Sequence, residues 1–444
     1  MKYRFFLILL WVWTIVASQE AWTLERCLHR AMTHHPELNA RRLAALSDSL
    51  RWQLSRADRW PRAEWTIGQG FQLGETFNVS TGVGQRKSSY TSYNLSIQTV
   101  VFEGLAKTRQ MHYYDALRRK SRIEVSETAW QLQSEIITLF YQLLYDAESL
   151  DIQNELLQIQ TQITRIAGKL YNEHLRPYDE YLSAQTDLAG LKRLREDLKK
   201  QYLVHQARLT ELLHLDTSAI RLIPPADSIP RMLKRLPASE HLPQIRSAMA
   251  EIEAWEFRKK TEKARRFPQL FLRYSYGSSY YHLLGEKDLI YNRETGRWEA
   301  FGPWEQFRSN QLHYVYAGLR IPLFEGFRLK RNVEIADLEL RAARKRLQSR
   351  QRRLQSLFAQ WTAEAESAYN QWKAQRKIVR LREENLRLYE QKYRNRTVPY
   401  EQWQRRREAY LQARMMLSRY KWETFMKYEL LKRLFSDFNT QDFR

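Results

Sequence analysis

The sequence predicts mixed α and transmembrane β structure with an internal two-fold repeat. Four β-strands per chain contribute to a barrel wall, and long helices continue it as an antiparallel coiled-coil barrel. Three observations predict this. First, Phe102-Glu103-Gly104 returns as Phe324-Glu325-Gly326, and Tyr171 and Pro177-Tyr178 return as Tyr393 and Pro399-Tyr400, all 222 residues on. Earlier landmarks return after 207: His35-Pro36-Glu37-Leu38 as Leu242-Pro243-Gln244-Ile245, and Trp60-Pro61 as Phe267-Pro268. The shortfall of 15 residues places one insertion between Pro268 and Phe324. Second, four segments alternate apolar and polar residues. Third, two long stretches free of proline repeat apolar residues every seven.

Residues 1–18 read as a signal peptide: Lys2 and Arg4 supply the charged start, Phe5 to Val16 the apolar run, and Ala17-Ser18 the small cleavage residues. The first repeat then covers 19–222 and the second 223–444. A single cysteine, Cys27, allows no intrachain disulfide and reads as a small core residue.

Each repeat opens on a helix, Trp22 to Asp58 and Glu240 to Ala264, and then a hairpin over about 62–102 and 268–324. In the first strand Ala63, Trp65, Ile67 and Phe71 oppose Arg62, Glu64, Thr66 and Gly68. In the last, Val315, Ala317, Leu319, Ile321 and Leu323 oppose Tyr314, Tyr316, Gly318, Arg320 and Pro322. The strand ending at Phe102 and the strand beginning at Gln269 alternate likewise. Such strands, with one apolar face, one polar face and aromatic residues near their ends, carry the pattern of an outer-membrane barrel. The hairpin loops are long and polar, which puts them outside and the other strand ends in the periplasm.

Lys107 to about Leu170 and Leu329 to Tyr393 are helices with a shared seam. Val125, Leu132 and Leu139 fall on Leu347, Leu354 and Trp361 under the 222 offset. At 1.5 Å per residue, about 65 residues make a rod of roughly 100 Å, too long to bury its own seam. Turns at about 171–178 and 393–400 lead into return helices, Tyr178 to about Leu213 and Tyr400 to about Leu434.

Four strands cannot close. Two copies give eight strands, a barrel filled by side chains; three give twelve, wide enough for a lumen, and the polar inner face favours three. Arg62, Arg273 and Arg320 on that face are candidate lumen charges.

The net charge of +23 comes from 73 basic residues spread among 50 acids along the helices, without a recognition-module pattern, so nucleic acid is not an expected partner. No phosphate-binding loop, HExxH or GxSxG motif occurs, no cofactor is expected, and no enzyme is read. His34-His35 do not share a helix face and read as solvated.

The ordered motifs, from Leu24-Glu25-Arg26-Cys27-Leu28 through the two Phe-Glu-Gly junctions to the segments Tyr171–Leu188 and Tyr393–Leu411, resemble the TolC-like outer-membrane efflux protein family over the whole mature chain. The resemblance implies a homotrimer with a twelve-stranded barrel in outer-membrane lipid and a periplasmic helical tunnel. It also implies docking to a periplasmic adaptor (membrane fusion) protein and to an inner-membrane efflux pump or secretion ATPase. By it, the tips that contact the adaptor are Tyr171, His174, Leu175, Pro177 and Tyr178, with Tyr393, Arg396, Thr397, Val398, Pro399 and Tyr400. His174 and Arg396 stand where the family has glycine, and Pro177 and Pro399 are expected to set the turn. Gln402 and Arg405 stand where the family has acidic entrance residues; with Asp179 and Glu180 they are the candidate gate, Arg405 pairing with Glu180 or Asp179. The alternative is a coiled-coil scaffold or adhesin without a pore, which leaves the four alternating strands unexplained.

Overall fold

The computed structural model describes residues 21–74, 76–78, 83–85, 87–215, 220–226, 241–395 and 397–436; the expected signal peptide lies outside them. In chain order the elements are β1 (Ala21–Trp22), α1 (Leu24–His34), α2 (Pro36–Ala57), β2 (Arg62–Gln72), β3 (Thr76–Asn78), β4 (Val83–Gln85), β5 (Ser88–Phe102), α3 (Ala106–Asn172), α4 (Tyr178–Leu212) and β6 (Arg221–Leu222). The second half follows with α5 (Pro243–Ala264), β7 (Gln269–Leu283), β8 (Leu289–Asn292), β9 (Arg297–Ala300), α6 (Pro303–Ser309), β10 (Leu312–Arg320), α7 (Arg328–Arg394) and α8 (Tyr400–Leu431). The repeat is kept to the residue: α3 and α7 each have 67 residues with bounds 222 apart, and α2 and α5 each have 22 with bounds 207 apart.

The expected first helix is broken. Its chain pauses at His35, whose extended backbone (φ −64°, ψ 123°) caps α1. Pro36 forces this, because the residue before proline is driven out of the helical region, while proline itself fits the first turn of α2. The last strand also stops short of Phe324, at Arg320. Pro322 has no N–H to give a ladder, so pairing ends ahead of it.

The chain forms two compact units: one of residues 1–45, 121–247 and 347–444, the other of 46–120 and 248–346, so each unit draws on both repeats. The second unit holds the four-stranded antiparallel sheet, ordered β10-β7-β5-β2. Its register sets Ala63, Ile97, Tyr274 and Val315 in one row, and Trp65, Leu95, Tyr276 and His313 in the next. The apolar faces of all four strands therefore coincide, and they are exposed: Trp65, Ile67, Phe71, Val315 and Leu319 are all more than 60% accessible. The 15-residue insertion has a structural use. β7 outruns β10, which pairs only as far as Gly277. Beyond it α6 covers the edge: the Tyr281 N–H donates to Gln306 Oε1 (2.9 Å), Asn310 Nδ2 donates to the Ser279 carbonyl (2.8 Å), and Ser278 Oγ donates to the Phe307 carbonyl (2.7 Å). Satisfying an edge in this way prevents stray pairing there.

Apart from the short parallel pair of β1 and β6, the first unit is helical. Its core joins both repeats: Trp130 stacks on Trp361 at 6.4 Å, Phe435 meets both edge-on, and Trp130 Nε1 donates to the Leu434 carbonyl at 3.0 Å. Around them Ile136, Ile137, Phe140, Leu209, Ile245 and Leu431 are fully enclosed. Such packing, rather than intrinsic propensity, holds helices of this length in place.

The ends of the long helices need special backbone. α3 closes with the Leu175 N–H on the Leu170 carbonyl (2.8 Å) and the His174 N–H on the Tyr171 carbonyl (2.9 Å). This is the paired C-cap that requires a left-handed residue. His174 supplies it at φ 58°, where glycine is the usual choice. The corresponding Thr397 N–H bonds the Lys392 carbonyl at 2.9 Å, 222 residues on. Histidine tolerates this region better than most residues, yet not freely. Replacing His174 by Gly is expected to leave stability unchanged or raise it by up to about 1 kcal/mol, and replacing it by Val to lower it by about 1–3 kcal/mol. Thermal denaturation of the two variants checks this ordering.

Candidate functional site

The first tip is an aromatic cluster set by the turn. Pro177 is extended (φ −71°, ψ 157°) and starts α4, bringing Tyr178 to 5.1 Å and Tyr181 to 6.1 Å from Tyr171 by ring centroid. Leu175 and Tyr178 stay exposed. The second tip repeats the plan and buries it. Pro399 has φ −72° and ψ 159°, and Tyr393 packs on Tyr400 (6.1 Å) and Trp403 (5.7 Å). Tyr400 is enclosed with Ile163, Ala167 and Ala184. Gln160 Nε2 donates to Tyr400 Oη at 2.9 Å and to the Ala184 carbonyl at 3.0 Å. Burial pushes the Tyr400 phenol above its ordinary pKa, so it stays neutral as a hydrogen-bond partner. Thr397 is exposed and Val398 half-buried; Arg396 lies outside the described residues.

The entrance charges are not joined as expected. Glu180 pairs with Arg176, one turn earlier, at 3.0 Å. Arg405, Gln402 and Asp179 are all exposed, and among the described residues of the single chain no Arg405–Glu180 or Arg405–Asp179 pair forms. The physical reason is reach: Arg176 sits in the turn just before the N-cap Pro177, next to Glu180 in the first turn of α4.

One residue was missed. Arg407 is buried, with its guanidinium carbon 4.9 Å over the Trp403 ring. Its Nε and Nη1 have no hydrogen-bond partner. Loss of hydration pushes its pKa below the usual arginine range. Beside it Gln404 donates to the Asp187 carboxylate. The run Arg405-Arg406-Arg407 reads as a solvated face; only the i, i+4, i+8 spacing of Trp403, Arg407 and Leu411 marks the inward position.

On the sheet's polar face, Arg62, Gln98, Arg273 and Tyr316 share one transverse row. Arg273 Nη2 donates to Gln98 Oε1 at 3.1 Å, and Arg62 pairs with Asp58 at 2.9 Å. Arg320 lies opposite Gln269, lower on the same face. A recess of about 490 Å³ takes lining residues from both edge strands, Arg62 of β2 and Arg320 of β10, together with Glu103, Lys107 and Arg265. The recess thus opens on the polar face of the sheet, at its helix-proximal end. Neither a cluster of metal-ligating side chains nor a helix long and apolar enough to cross a membrane occurs among the described residues.

Both strand-to-helix junctions use two consecutive left-handed residues, Gly104-Leu105 (φ 63°, 64°) and Gly326-Phe327 (φ 57°, 62°). Their surroundings differ. A Cβ on Gly104 would lie 2.7 Å from Phe267 Cβ and 2.8 Å from the Ala264 carbonyl, while one on Gly326 would meet nothing within 4 Å.

Residues 237–431 match the family model described as outer membrane efflux protein. No curated protein sequence matches the chain. Solved structures match over nearly its whole length. The outer membrane protein VceC of Vibrio cholerae superposes with a TM-score of 0.77 at 14% identity, covering 93% of this chain and 95% of that one. The CmeC outer membrane channel of Campylobacter jejuni does so with a TM-score of 0.80 at 11% identity, covering 94% and 88%. A membrane protein from Pseudomonas aeruginosa gives 0.78 at 15%, covering 93% and 90%. Residues 237–431 thus carry a domain of the outer membrane efflux protein type, and the chain as a whole has the fold of these outer membrane proteins.

Proposed function

We propose that the chain is one subunit of a homotrimeric exit duct in a tripartite efflux or type I secretion system. Substrate would pass from a periplasmic adaptor and an inner-membrane pump or secretion ATPase, through the trimer, to the outside. The observation that carries this reading is the sheet: four strands, an exposed apolar face, a polar face with a recess at its base, and two open edges, β2 and β10. Hydrocarbon does not tolerate open edges, and twelve strands enclose a lumen where eight would fill it.

The repeat supplies the rule for closure. Inside the chain β5 of the first repeat pairs with β7 of the second. Applying the two offsets to that register sets Leu319 opposite Ile67 of the next copy, Ile321 opposite Trp65, and Val315 opposite Phe71. All six side chains are exposed in the single chain. The same operation brings Trp60, which is 74% exposed, onto the open side of Gly326, as Phe267 sits on Gly104. The tips carry the adaptor contact in this reading, since they hold the exposed Leu175, Tyr178 and Thr397, and the first turns after them hold the entrance residues Asp179, Gln402 and Arg405.

Side chains directly opposite on antiparallel strands lie within disulfide range. Oxidising the Ile67→Cys, Leu319→Cys double variant in outer-membrane preparations is expected to give covalent dimers and trimers. A product that stays at monomer mass sinks the closure. The native Cys27 does not interfere: it is fully buried and its thiol is pushed up to about 12.

The arginine row gives a second expectation. Repeated around a closed barrel, Arg62, Arg273 and Arg320 make the inner wall cationic. Planar-bilayer recordings are expected to show anion preference that Arg273→Gln weakens; a cation-selective wild type contradicts it.

A further inference from the structure

Inside the chain, α3 of the first repeat packs on α8 of the second, and the 222-residue offset identifies the faces left without that partner. Tyr400 and Phe425 of α8 are 1% and 3% exposed, and Leu156 of α3 is 4% exposed. Their counterparts Tyr178 and Leu203 of α4 and Ile378 of α7 are 53%, 50% and 39% exposed. The same side-chain positions are thus enclosed in one pairing of helices and bare in the other. Continuity with the internal interface names the occupant: another copy of this chain.

We infer that α7 of one copy packs on α4 of the next as α3 packs on α8 within a chain, and that this seam sets Lys377 against Lys192 where the internal interface holds the Glu155–Arg414 ion pair. The internal pair closes at 2.6 Å between Arg414 Nη1 and Glu155 Oε2. Adding 222 to Glu155 gives Lys377, and subtracting it from Arg414 gives Lys192; both lysines are exposed in the chain. A neighbouring contact changes in the same direction. Inside the chain Glu148 accepts from Ser418 Oγ (2.8 Å) and Trp422 Nε1 (2.7 Å). Between copies, the equivalent positions are Asn370 against Glu196 and Lys200, with Glu196 already paired to Arg195 at 3.2 Å. The ion pair and the carboxylate-centred hydrogen bonds of the internal interface are both missing from the seam.

The consequence is directional. Like charges brought face to face repel, and more so as a closing interface excludes water. The helical wall would therefore part first between copies rather than within one, at the level of Lys192 and Lys377. This inference rests on the trimeric reading and adds to it where the wall is weakest.

Two measurements on the full-length protein in outer-membrane preparations test it. A short bismaleimide is expected to join Lys192→Cys to Lys377→Cys as covalent dimers and trimers. Lys377→Glu is expected to restore an ion pair across the seam and raise the temperature at which the trimer dissociates in detergent, with the gain shrinking at high salt. If Ile67→Cys and Leu319→Cys crosslink but the helical pair does not, the trimer stands and this seam is wrong. An unchanged or lowered dissociation temperature for Lys377→Glu overturns the charge argument. Loss of both crosslinks overturns the trimeric reading itself.

Discussion

The structure depends on one constraint: every backbone N–H and C=O in hydrocarbon must have a partner. A sheet of four strands satisfies its interior ladders and leaves two rows of groups bare, along β2 and β10. In water such edges are tolerable when short or covered. On a sheet whose outward face carries Trp65, Ile67, Val315 and Leu319 to the surface, water is not the solvent. The open edges and the apolar face together call for further copies. The polar face then becomes the inside of a closed wall.

Duplication makes that closure economical. Each half carries a helix, a hairpin, a long helix, a tip and a return helix, so the contact that joins the halves is also the template for joining one chain to the next. Heterologous contacts of this kind form rings when the rotation closes. The two halves have since diverged where the template need not be exact. Gly104 is hemmed in by Phe267, whereas its copy Gly326 faces open space. Tyr400 is enclosed, whereas Tyr178 is bare. The 15-residue insertion sits in one hairpin only, where α6 covers the overhanging edge of β7.

Much of this was legible in the sequence because it rests on periodicity and on proline. The offsets of 207 and 222 recur in both bounds of α2 and α5 and of α3 and α7, and the alternation of Ala63, Trp65 and Ile67 fixes the outer face that the register confirms. The breaks at His35 and Arg320 follow from Pro36 and Pro322, single residues set against a long helical or alternating pattern. Other features depend on tertiary contact and leave little trace in sequence. The insertion gave no hint of α6, where Gln306 and the capping Asn310 act through hydrogen bonds to strand backbone rather than through a period. The absence of glycine at position 174 pointed to an altered tip, but His174 adopts the left-handed cap itself. Arg407 hid in a basic run, since burial of one arginine among three is decided by its neighbour Trp403. The Arg405–Glu180 pairing lost to a closer partner, Arg176.

The central claim is that a single chain is a third of a channel wall. Native mass spectrometry of the complex, extracted from outer membranes in mild detergent, tests it most directly. The account requires a species of three 53.6 kDa chains, less whatever leader is removed from each, stable only with detergent or lipid around its sheet. A detergent-free, water-soluble single chain with both hairpins folded into its own interior would contradict it.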